Sequence, residues 1–397
     1  MNIVHITPSA PYNDYWGYQD NLLPKYHKKL GHQVTMITTN YMHKDGKIVP
    51  TECGDYVLDD GVRVIRLARK KYFHHTVTNI RSYLPVFDLL KKLKPDFIFF
   101  HGLMSATIYD VVAYKKKHNR NCVIVQDNHL DYNIGRRGNG IKDNMLRMYY
   151  RHVVRKTIEY VDHVYGVTPW RKQYAEEYFQ VPKDKTSVLI MGADDEEINF
   201  EQREAVRAHI RTSYGITPND FLVATGGKID EKKKIHFLMQ AICGLERVKL
   251  LIFGQVMEDI HEEFERLLEQ NSSIIYVGWI PSRQVYDYFF ASDLVFFPGQ
   301  HSVLWEQACA TKVPCVFQRW EGMEHIDNGG NSDFLATVSV ESIRSKLLEV
   351  LYTEKYQNMK KIAASEKTDI YLYSKIAEKS LECWENMKKN EAIHSRK

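Results

Sequence analysis

The feature that most constrains this chain is a repeated alternation of short apolar strands with amphipathic helices. The apolar runs, such as those at 97–100 and 294–297, have the length of single buried strands. Near the start, a strand pattern at 2–7 is followed by a helix pattern at 22–30 and a second strand at 33–38. Two strands joined in this way by a helix are parallel. Because the unit recurs along the chain, we predict an α/β fold built on doubly wound parallel sheets.

The chain is expected to form two domains, because 397 residues exceed the usual size of a single hydrophobic core. The alternation of strands and helices stops near residues 180–200 and restarts with a strand at 221–225. We therefore predict two Rossmann-like domains, at 1–190 and 191–375, with no strand-rich insertion. Ligands of such sheets bind beyond the carboxyl ends of the strands. The active site is accordingly expected in a cleft that the two domains face.

Composition excludes several classes of protein. Apolar residues make up 44% of the chain and charged residues 26%, a balance that is typical of globular proteins. No stretch of 18 residues lacks a charge, and no basic segment followed by an apolar one opens the chain, so neither a spanning helix nor a secretory signal is expected. The six cysteines form no Cys-x-x-Cys pair, which argues against a zinc site and a disulfide framework. These features predict a cytoplasmic protein.

Charge is distributed unevenly along the chain. Residues 1–190 contain 29 Lys and Arg against 18 Asp and Glu, a net charge of +11, whereas the remainder carries −7. A basic first half predicts an anionic partner, which is a phosphorylated substrate, an anionic membrane surface or a nucleic acid. A solvated face without a partner is the alternative.

Much of this positive charge lies on or just before a predicted helix at 144–160. The residues concerned are Arg136, Arg137, Lys142, Arg147, Arg151, Arg155 and Lys156. We expect the helix to touch anionic lipid headgroups, which would place the protein peripherally at the inner face of the plasma membrane. An ordinary solvated helix is the alternative. A nucleic acid partner is not expected, because no recognised binding fold accompanies the charge.

A first candidate site follows the strand at 221–225. The strand ends at Gly226-Gly227, Lys228 comes next, and Lys233 lies just before a helix. Glycines let the backbone approach an anion closely, and two lysines can neutralise a diphosphate. The alternative interpretation is a tight turn followed by a run of solvated lysines.

A second candidate site follows the strand at 294–297. A polar turn that contains His301 and Ser302 leads to Glu306 at the start of a helix. The free N–H groups and the positive dipole end of a helix suit a phosphate. A carboxylate one turn further can accept hydrogen bonds from ribose hydroxyls, as it does in dinucleotide folds. The alternative is that Glu306 only pairs with the helix dipole.

These two stretches resemble the donor-binding half of the retaining GT-B glycosyltransferases of the large family-four group. That family has Gly-Arg-(x)4-Lys-Gly after a strand and, later, a Glu-(x)7-Glu motif. In this chain Lys228 stands at the Arg and Lys233 at the Lys, while Glu306 matches the second Glu. Pro298 occupies the position of the first Glu, so that His301 and its neighbours are the available substitutes.

The first half resembles the same family. The segment from Pro8 to Gly17 is similar to the loop that lies near the phosphates, and the strand at 97–100 runs into a histidine, His101, as it does in the family. Residues 191–194 are similar to the linker between the domains. The matches follow one another in the family's order along nearly the whole chain.

The resemblance implies transfer of a sugar from a nucleotide-diphosphate sugar to a glycan or lipid-linked acceptor, with retention and without a metal or other cofactor, in polysaccharide or glycoconjugate biosynthesis. The first domain would hold the acceptor, the second would hold the nucleotide sugar, and a helix at 376–397 would cross back to the first domain. A catalytically weak scaffold, or a glycan-binding subunit of a transferase complex, is the alternative that the missing Glu raises. The residues implied are His101 and His301 for catalysis, Gly17, Gly227, Lys228, Lys233 and Ser302 for the diphosphate, Gly254, Gln255 and Glu306 for the nucleotide, and Asp127 and His129 on the acceptor side.

Overall fold

The structure is a computed structural model, and it describes residues 1–44, 46–71, 82–132, 140–351 and 353–394. The chain divides into two compact units. The first consists of Met1–Ile190 together with the segment from Ile376 onward, and the second consists of Met191–Lys375. Each unit buries a hydrophobic core of its own.

The first unit contains an eight-stranded sheet and two short strand pairs. In chain order its strands are β1 (Asn2–Thr7), β2 (Gln33–Thr39), β3 (Tyr41–Lys44), β4 (Lys47–Pro50), β5 (Gly54–Val57), β6 (Arg63–Leu67), β7 (Lys70–Lys71), β8 (Ser82–Tyr83), β9 (Phe97–Phe100), β10 (Val123–Asn128), β11 (His163–Gly166) and β12 (Thr186–Val188). The large sheet has the order β12-β11-β10-β9-β1-β2-β6-β5. Its strands are parallel except at the edge, where β5 runs antiparallel to β6.

Within the described ranges, five helices lie between the strands of this unit. They are α1 (Gln19–Lys29), α2 (Phe87–Leu93), α3 (Ile108–Lys117), α4 (Ile141–Thr157) and α5 (Pro169–Glu177). Every residue of β9 is buried, as expected of a central parallel strand that helices cover on both faces. The strand order reverses between β1 and β9, so the residues that follow these strands lie where doubly wound folds bind ligands.

The prediction that no strand-rich segment interrupts the fold was wrong. Between β2 and β6 the chain forms the antiparallel hairpin of β3 and β4, and then the antiparallel edge strand β5. Most residues of these strands are exposed or half-buried. Their sequences therefore lack the apolar runs that mark the buried strands.

The second unit contains one six-stranded, wholly parallel sheet. Its strands are β13 (Phe221–Ile229), β14 (Val248–Val256), β15 (Ile274–Gly278), β16 (Leu294–Phe297), β17 (Cys315–Gln318) and β18 (Ser332–Leu335). Its helices are α6 (Arg203–Ser213), α7 (Ile235–Ala241), α8 (His261–Gln270), α9 (Val285–Ala291), α10 (Leu304–Ala310), α11 (Val340–Leu351) and α12 (Glu354–Ala363). The spatial order is β15-β14-β13-β16-β17-β18, which reverses between β13 and β16. The predicted α/β fold with two Rossmann-like parallel sheets is confirmed.

The end of the chain forms two helices, α13 (Tyr373–Ser380) and α14 (Glu382–His394), rather than one. From Ile376 onward this segment belongs to the first unit. The hydroxyl of Tyr165, on β11, donates a hydrogen bond to the carbonyl oxygen of Ser380 at 3.2 Å. The Oγ atom of Ser380 also lies 2.7 Å from Nε2 of His27 on α1. These buried contacts attach α13 to the sheet and to the first helix.

Candidate functional site

Two glycines bring the central strands of the second unit unusually close together. Strand β13 continues beyond residue 225, where the sequence predicts its end, and Gly227 pairs with Gly254 of β14 in the parallel register. Their φ angles are +105° and +120°, a region that other residues rarely adopt. A Cβ atom on Gly254 would lie only 1.9 Å from the carbonyl oxygen of Gly227. A Cβ atom on Gly227 would lie 2.7 Å from Cδ1 of Leu304, so the packing of the protein itself requires a glycine at both positions.

Lys228 and Gln255 are the next residues on these two strands, and they again lie opposite each other. Both side chains are exposed. The ammonium of Lys228 lies 3.6 Å from the carboxylate of Asp230. Lys228 also lines a surface pocket of about 770 Å³, but four of the seven lining residues are acidic. An acidic pocket does not suit a diphosphate. In this region the ammonium of Lys228 is therefore the group that could bind an anion.

Lys233 ties the turn after β13 to the turn after β16. Its half-buried ammonium donates a hydrogen bond to the carbonyl oxygen of Gln300 at 2.6 Å and a longer one to that of His301 at 3.3 Å. Burial lowers the pKa of Lys233 to about 8, the attraction of Asp230 opposes this change, and the repulsion of Lys228 adds to it. A negative charge close to Lys233 would therefore stabilise its charged form.

The carboxylate of Glu306, on α10, is completely buried and lies between two histidines. Nε2 of His301 lies 2.8 and 3.1 Å from its two oxygens, and Nε2 of His325 lies 3.0 Å from Oε1. Burial alone would raise the pKa of Glu306, but attraction and hydrogen bonds from His301 and His325 lower it to about 2. Glu306 is therefore an ionised group whose oxygens already accept hydrogen bonds from the protein.

His325 is a member of this cluster that the sequence did not reveal. It lies in a short 3₁₀ turn, Glu324–Ile326, and nothing in the local sequence marks it. Its backbone carbonyl accepts a hydrogen bond from the hydroxyl of Tyr371 at 2.9 Å. Within the described part of the chain, its buried Nδ1 has no hydrogen-bond partner. Because the carboxylate of Glu306 can only accept, the Nε2 atom of His325 is the donor in their contact.

The same three side chains form a set that could hold a metal ion. Among the residues that the structure describes, the ligand atoms of His301, Glu306 and His325 all lie within 4.8 Å of one another. Two imidazoles and a carboxylate are ligands that zinc and other transition metals accept. The distances of 2.8 to 3.1 Å are those of direct N–H···O bonds, so the three groups also satisfy one another without an ion.

Ser302 lies next to this cluster, just before α10. It is half-buried, and its carbonyl oxygen accepts a hydrogen bond from the backbone N–H of Trp305 at 3.0 Å. The adjoining turn packs tightly, because a Cβ atom on Gly299 would lie 2.3 Å from the carbonyl carbon of Lys233. The predicted donor residues of the second unit are thus brought together around the ends of β13, β14 and β16.

In the first unit, the buried carboxylate of Asp127 at the end of β10 gathers several donors. It accepts hydrogen bonds from the backbone N–H of Gly102 at 2.6 Å, from Nδ1 of His101 at 3.0 Å and from the amide of Gln19 at 3.4 Å. Nε2 of His129 lies 3.3 Å away. Burial would raise the pKa of Asp127, but His129 and His101 lower it far below its usual range. The side chain is therefore ionised.

His101 and His129 differ in how accessible they are. The second ring nitrogen of His101, Nε2, lies 3.1 Å from Nδ1 of His5, so that both of its nitrogens have protein partners. The side chain of His129 is 42% exposed. Of the two histidines that the sequence singled out here, His129 is exposed enough to contact a ligand. Both ring nitrogens of His101 contact protein groups instead.

Gly17 lies in the turn that precedes α1 and is exposed. A Cβ atom there would meet nothing within 4 Å, and its φ angle is not positive. Neither space nor backbone conformation therefore requires a glycine at this position. Gly17 belongs to the first unit, whereas the other residues predicted for the diphosphate belong to the second.

The basic helix α4 carries an exposed apolar stripe that the charge pattern did not reveal. Ile141, Met145 and Met148 are 80%, 61% and 69% exposed, and Tyr149 lies beside them. These residues recur at helical spacing, so they share one face. No helix in the described ranges is both long and apolar enough to cross a membrane.

The arginines of α4 differ in their exposure and in their contacts. Arg155 is exposed, whereas Arg147 donates to the side chain of Asn144, and the guanidinium of Arg151 lies 5.3 Å from the ring centre of Tyr178. Arg136 and Arg137, which the sequence added to this cluster, lie outside the described residues, as does the side chain of Lys142. Arg155 and Lys156 are thus the exposed cations next to the apolar stripe.

Two family models match this chain, in successive segments. The model described as Glycosyltransferase Family 4 matches residues 22–197, and the model described as Glycosyl transferases group 1 matches residues 220–352. Among curated proteins, no sequence matches the chain.

Solved structures match over almost the full length. Sucrose-phosphate synthase from Thermosynechococcus elongatus has a TM-score of 0.64 at 14% identity, with 97% of this chain and 98% of that chain covered. HepE from Anabaena, in complex with UDP and glucose, has a TM-score of 0.63 at 14% identity, with 97% and 99% covered. The catalytic domain of starch synthase IV from Arabidopsis thaliana, bound to ADP and acarbose, has a TM-score of 0.64 at 16% identity, with 97% and 98% covered.

At these identities the structural likeness establishes a common fold, and the family models supply the relationship. The two models match successive segments that together span most of the chain, and both describe glycosyltransferases. The chain therefore belongs to the group 1 glycosyltransferases and has their GT-B fold.

Proposed function

We propose that this protein transfers a sugar, with retention, from a nucleotide-diphosphate sugar to a glycan or lipid-linked acceptor in polysaccharide or glycoconjugate biosynthesis. The observation that carries the proposal is the half-buried ammonium of Lys233, which joins the turns after β13 and β16, the two strands between which the order of the sheet reverses. HepE and starch synthase IV, which share the fold, were solved with UDP and with ADP.

The diphosphate of the donor would be held by Lys228 and Lys233, with Gly227 and Ser302 beside them. Phosphate oxygens are stronger acceptors than the carbonyl oxygens of Gln300 and His301, so the ammonium of Lys233 would exchange a neutral partner for a charged one. Lys228 is exposed and can turn towards the same charge. Two cations would offset the charge that develops on the leaving diphosphate, which is why we propose a reaction that needs no metal or other cofactor.

For the nucleotide, the proposal assigns Gly254 and Gln255 to the strand end and Glu306 to the ribose. Because Glu306 is completely buried and His301 contacts both of its oxygens, a ribose hydroxyl can reach this carboxylate only if a neighbouring side chain moves. His301 is the better candidate, since it lies on the turn before α10 and is joined to Lys233 through its carbonyl oxygen. We therefore propose that His301 moves when the donor binds and then contacts the sugar.

On the acceptor side, His129 would receive a hydroxyl of the acceptor, with Asp127 fixing its orientation. The separation of 3.3 Å between Nε2 of His129 and Asp127 leaves the exposed part of the ring for a ligand. A carboxylate that accepts from one imidazole nitrogen sets the proton position on the ring, which is its usual effect in such pairs. His101 would support the pair rather than touch the substrate.

For the membrane, we propose that α4 lies against an anionic bilayer surface when the acceptor is lipid-linked. The helix combines exposed Ile141, Met145 and Met148 with exposed Arg155 and Lys156. Apolar side chains that enter the headgroup region, next to cations that attract anionic lipids, are the features of helices that bind at the interface.

The experiment that tests the proposed function is a screen of the purified full-length protein with UDP, ADP and GDP sugars. A ligand at about 100 times its dissociation constant stabilises the folded state by about 2.7 kcal/mol, which a thermal shift detects. The sugar that shifts the melting temperature is then used to measure slow donor hydrolysis, with and without EDTA. Binding without released sugar would favour the scaffold, and loss of hydrolysis with EDTA would contradict the metal-free reaction.

A further inference from the structure

A continuous line of hydrogen bonds runs through the first unit from Asp127 to the last helices. Asp127 contacts Nδ1 of His101 at 3.0 Å, and Nε2 of His101 lies 3.1 Å from Nδ1 of His5. Nε2 of His5 lies 2.9 Å from Nδ1 of His27, and Nε2 of His27 lies 2.7 Å from Oγ of Ser380. We call these five residues the histidine chain. Its members come from β10, the residue after β9, β1, α1 and α13, and together they connect a strand-end site to the carboxyl-terminal segment.

The inner two histidines are neutral. His5 and His27 are completely buried, and burial, followed by the repulsion of His27 and His101, holds the pKa of His5 well below its ordinary value. Burial lowers the pKa of His27 to about 3, although the carbonyl group of Ala377 opposes the shift. A neutral imidazole carries one N–H, so each of these rings donates on one side and accepts on the other.

The end of the histidine chain at α13 determines the direction in which its hydrogen bonds donate. Nε2 of His27 lies 3.3 Å from the carbonyl oxygen of Ala377, which can only accept. The hydroxyl of Ser380 donates its single proton to the same carbonyl oxygen at 2.8 Å. The proton of His27 therefore belongs on Nε2, from which it is directed to Ser380 Oγ and Ala377. Nδ1 of His27 must then accept from Nε2 of His5, and Nδ1 of His5 must accept from Nε2 of His101.

At the other end the ionised carboxylate of Asp127 also accepts, so it requires a proton on Nδ1 of His101. Four hydrogen bonds in line need four protons, and three neutral imidazoles supply only three. We infer that the histidine chain stores one additional proton, which resides on His101, and that His5 and His27 are positioning residues that hold it there. His101 is then an imidazolium with both N–H groups engaged, and it acts on a ligand only through Asp127 and His129.

The alternative arrangement differs by a single proton. If the hydroxyl of Ser380 turned to His27, each imidazole could donate from Nδ1 towards Asp127 and all three would be neutral. That state gives up the hydrogen bond of Ser380 to Ala377 and leaves the carbonyl oxygen facing a bare ring nitrogen at 3.3 Å. From the charged to the neutral state, the Nε2 proton of His101 passes to His5 and that of His5 passes to His27. The Nε2 proton of His27 is lost to solvent water, and the hydroxyl of Ser380 then donates to the vacated nitrogen.

Other titratable groups lie close to the histidine chain and interact with its charge. Asp20 on α1 lies near His101, His129 and Asp127, and burial, as the largest influence, raises the pKa of Asp20. His32 acts on His27 from the loop after α1. An anionic ligand near His129 would favour the stored proton, whereas a cationic one would oppose it.

The test is nitrogen NMR of the full-length protein labelled with ¹⁵N-histidine at neutral pH. The expected result is that both ring nitrogens of His101 bear protons, whereas His5 and His27 each bear their proton on Nε2. A neutral His101 with His5 and His27 protonated on Nδ1 would overturn the inference. This measurement uses the unaltered protein and so does not depend on whether a variant folds.

A variant gives a second, independent readout. Ser380→Ala removes the hydroxyl but leaves the Ala377 carbonyl to accept from His27, so we expect the proton positions on all three rings to be unchanged. If Ser380 were instead the donor of the neutral arrangement, the variant would alter the proton positions on His5 and His27, and the inference would fail. Ser292→Ala is the matched control, because Ser292 is equally buried and donates to the carbonyl three residues earlier, at Phe289, in the second unit.

Discussion

The ammonium of Lys233 lies 2.6 Å from the carbonyl oxygen of Gln300 and so joins the turn after β13 to the turn after β16. The backbone N–H of Gln300 completes the connection by donating to the carbonyl oxygen of Lys232 at 3.1 Å. These strands flank the point at which the sheet order reverses. The ammonium of Lys233 therefore holds the two turns together, and we propose that it also binds the diphosphate.

Replacing Lys233 by Ala should weaken nucleotide-sugar binding by about 10- to 100-fold, the loss of one charge-assisted hydrogen bond of about 1.5–3 kcal/mol. Titration calorimetry with the sugar found in the screen measures this change. Lys232→Ala is the matched control, since Lys232 is exposed on the same turn and should alter affinity less than about twofold. The melting temperature should fall modestly, because two carbonyl groups lose their donor. Unchanged affinity would remove Lys233 from the proposed site.

The pH dependence of binding should report on the same lysine. Since the pKa of Lys233 is lowered to about 8, the ammonium is charged at neutral pH and is lost as the pH rises through that value. Affinity for the diphosphate should be constant below about pH 7.5 and should decline by up to about tenfold per pH unit above pH 8. Lys233→Arg keeps its charge throughout this range and should abolish the decline. The same decline in both proteins would assign it to another group.

Glu306→Gln separates two roles of the buried carboxylate. If Glu306 contacts the ribose, the wild type should prefer UDP, ADP or GDP over the 2′-deoxy form by several-fold, and the variant should lose this preference. If Glu306 acts through His301, the variant should bind both forms more weakly and keep the preference. Calorimetry with each pair of nucleotides distinguishes the outcomes, and a preference that persists in the variant contradicts the ribose assignment.

The buried carboxylate should also make the second unit sensitive to acid. Because the pKa of Glu306 is lowered from 4.5 to about 2, its stabilising contribution is complete above pH 4.5 and is lost as the pH falls from 4.5 through 2. One pKa unit corresponds to about 1.4 kcal/mol, so unfolding in urea should require markedly less denaturant at about pH 3 than at pH 6. Glu306→Gln should be less stable at pH 6 and less dependent on pH in this window. An equal dependence in both proteins would locate the acid-sensitive group elsewhere.

Membrane binding should require both the apolar and the basic parts of α4. Met145→Gln with Met148→Gln should reduce co-sedimentation with anionic vesicles at any salt concentration, because it removes exposed apolar area. Arg155→Gln with Lys156→Gln should reduce binding at low salt and flatten its decline between about 0.05 and 0.5 M salt.

Leu348→Gln is the control for the membrane variants, because Leu348 is exposed on α11 of the second unit. It should leave binding unchanged, and donor hydrolysis should be retained in all of these variants. Equal sedimentation with zwitterionic vesicles would contradict the attraction to anionic lipid. If the apolar and basic variants both sediment like the wild type, α4 is a solvated helix.

The sequence predicted most of the secondary structure because the relevant signals are local. Buried strands such as β1, β9 and β16 have the bounds predicted from their apolar residues. The exposed strands β3 to β5 were missed because their residues do not need to be apolar. The end of β13 was placed too early, since glycine is a weak strand former and the pairing of Gly227 with Gly254 depends on the neighbouring strand.

The sequence by itself determined the two parallel α/β units and the candidate residues at their strand ends, because strand length, helix period and glycine–lysine spacing are properties of neighbouring residues. The tertiary structure alone decided what those residues contact. Glu306 meets His325 only because a turn 19 positions later packs on α10, and His5 meets His101 across 96 positions because β1 and β9 are adjacent. Pairings of this kind depend on which elements pack together, and hydrogen bonding between distant side chains leaves no periodic trace in a single sequence.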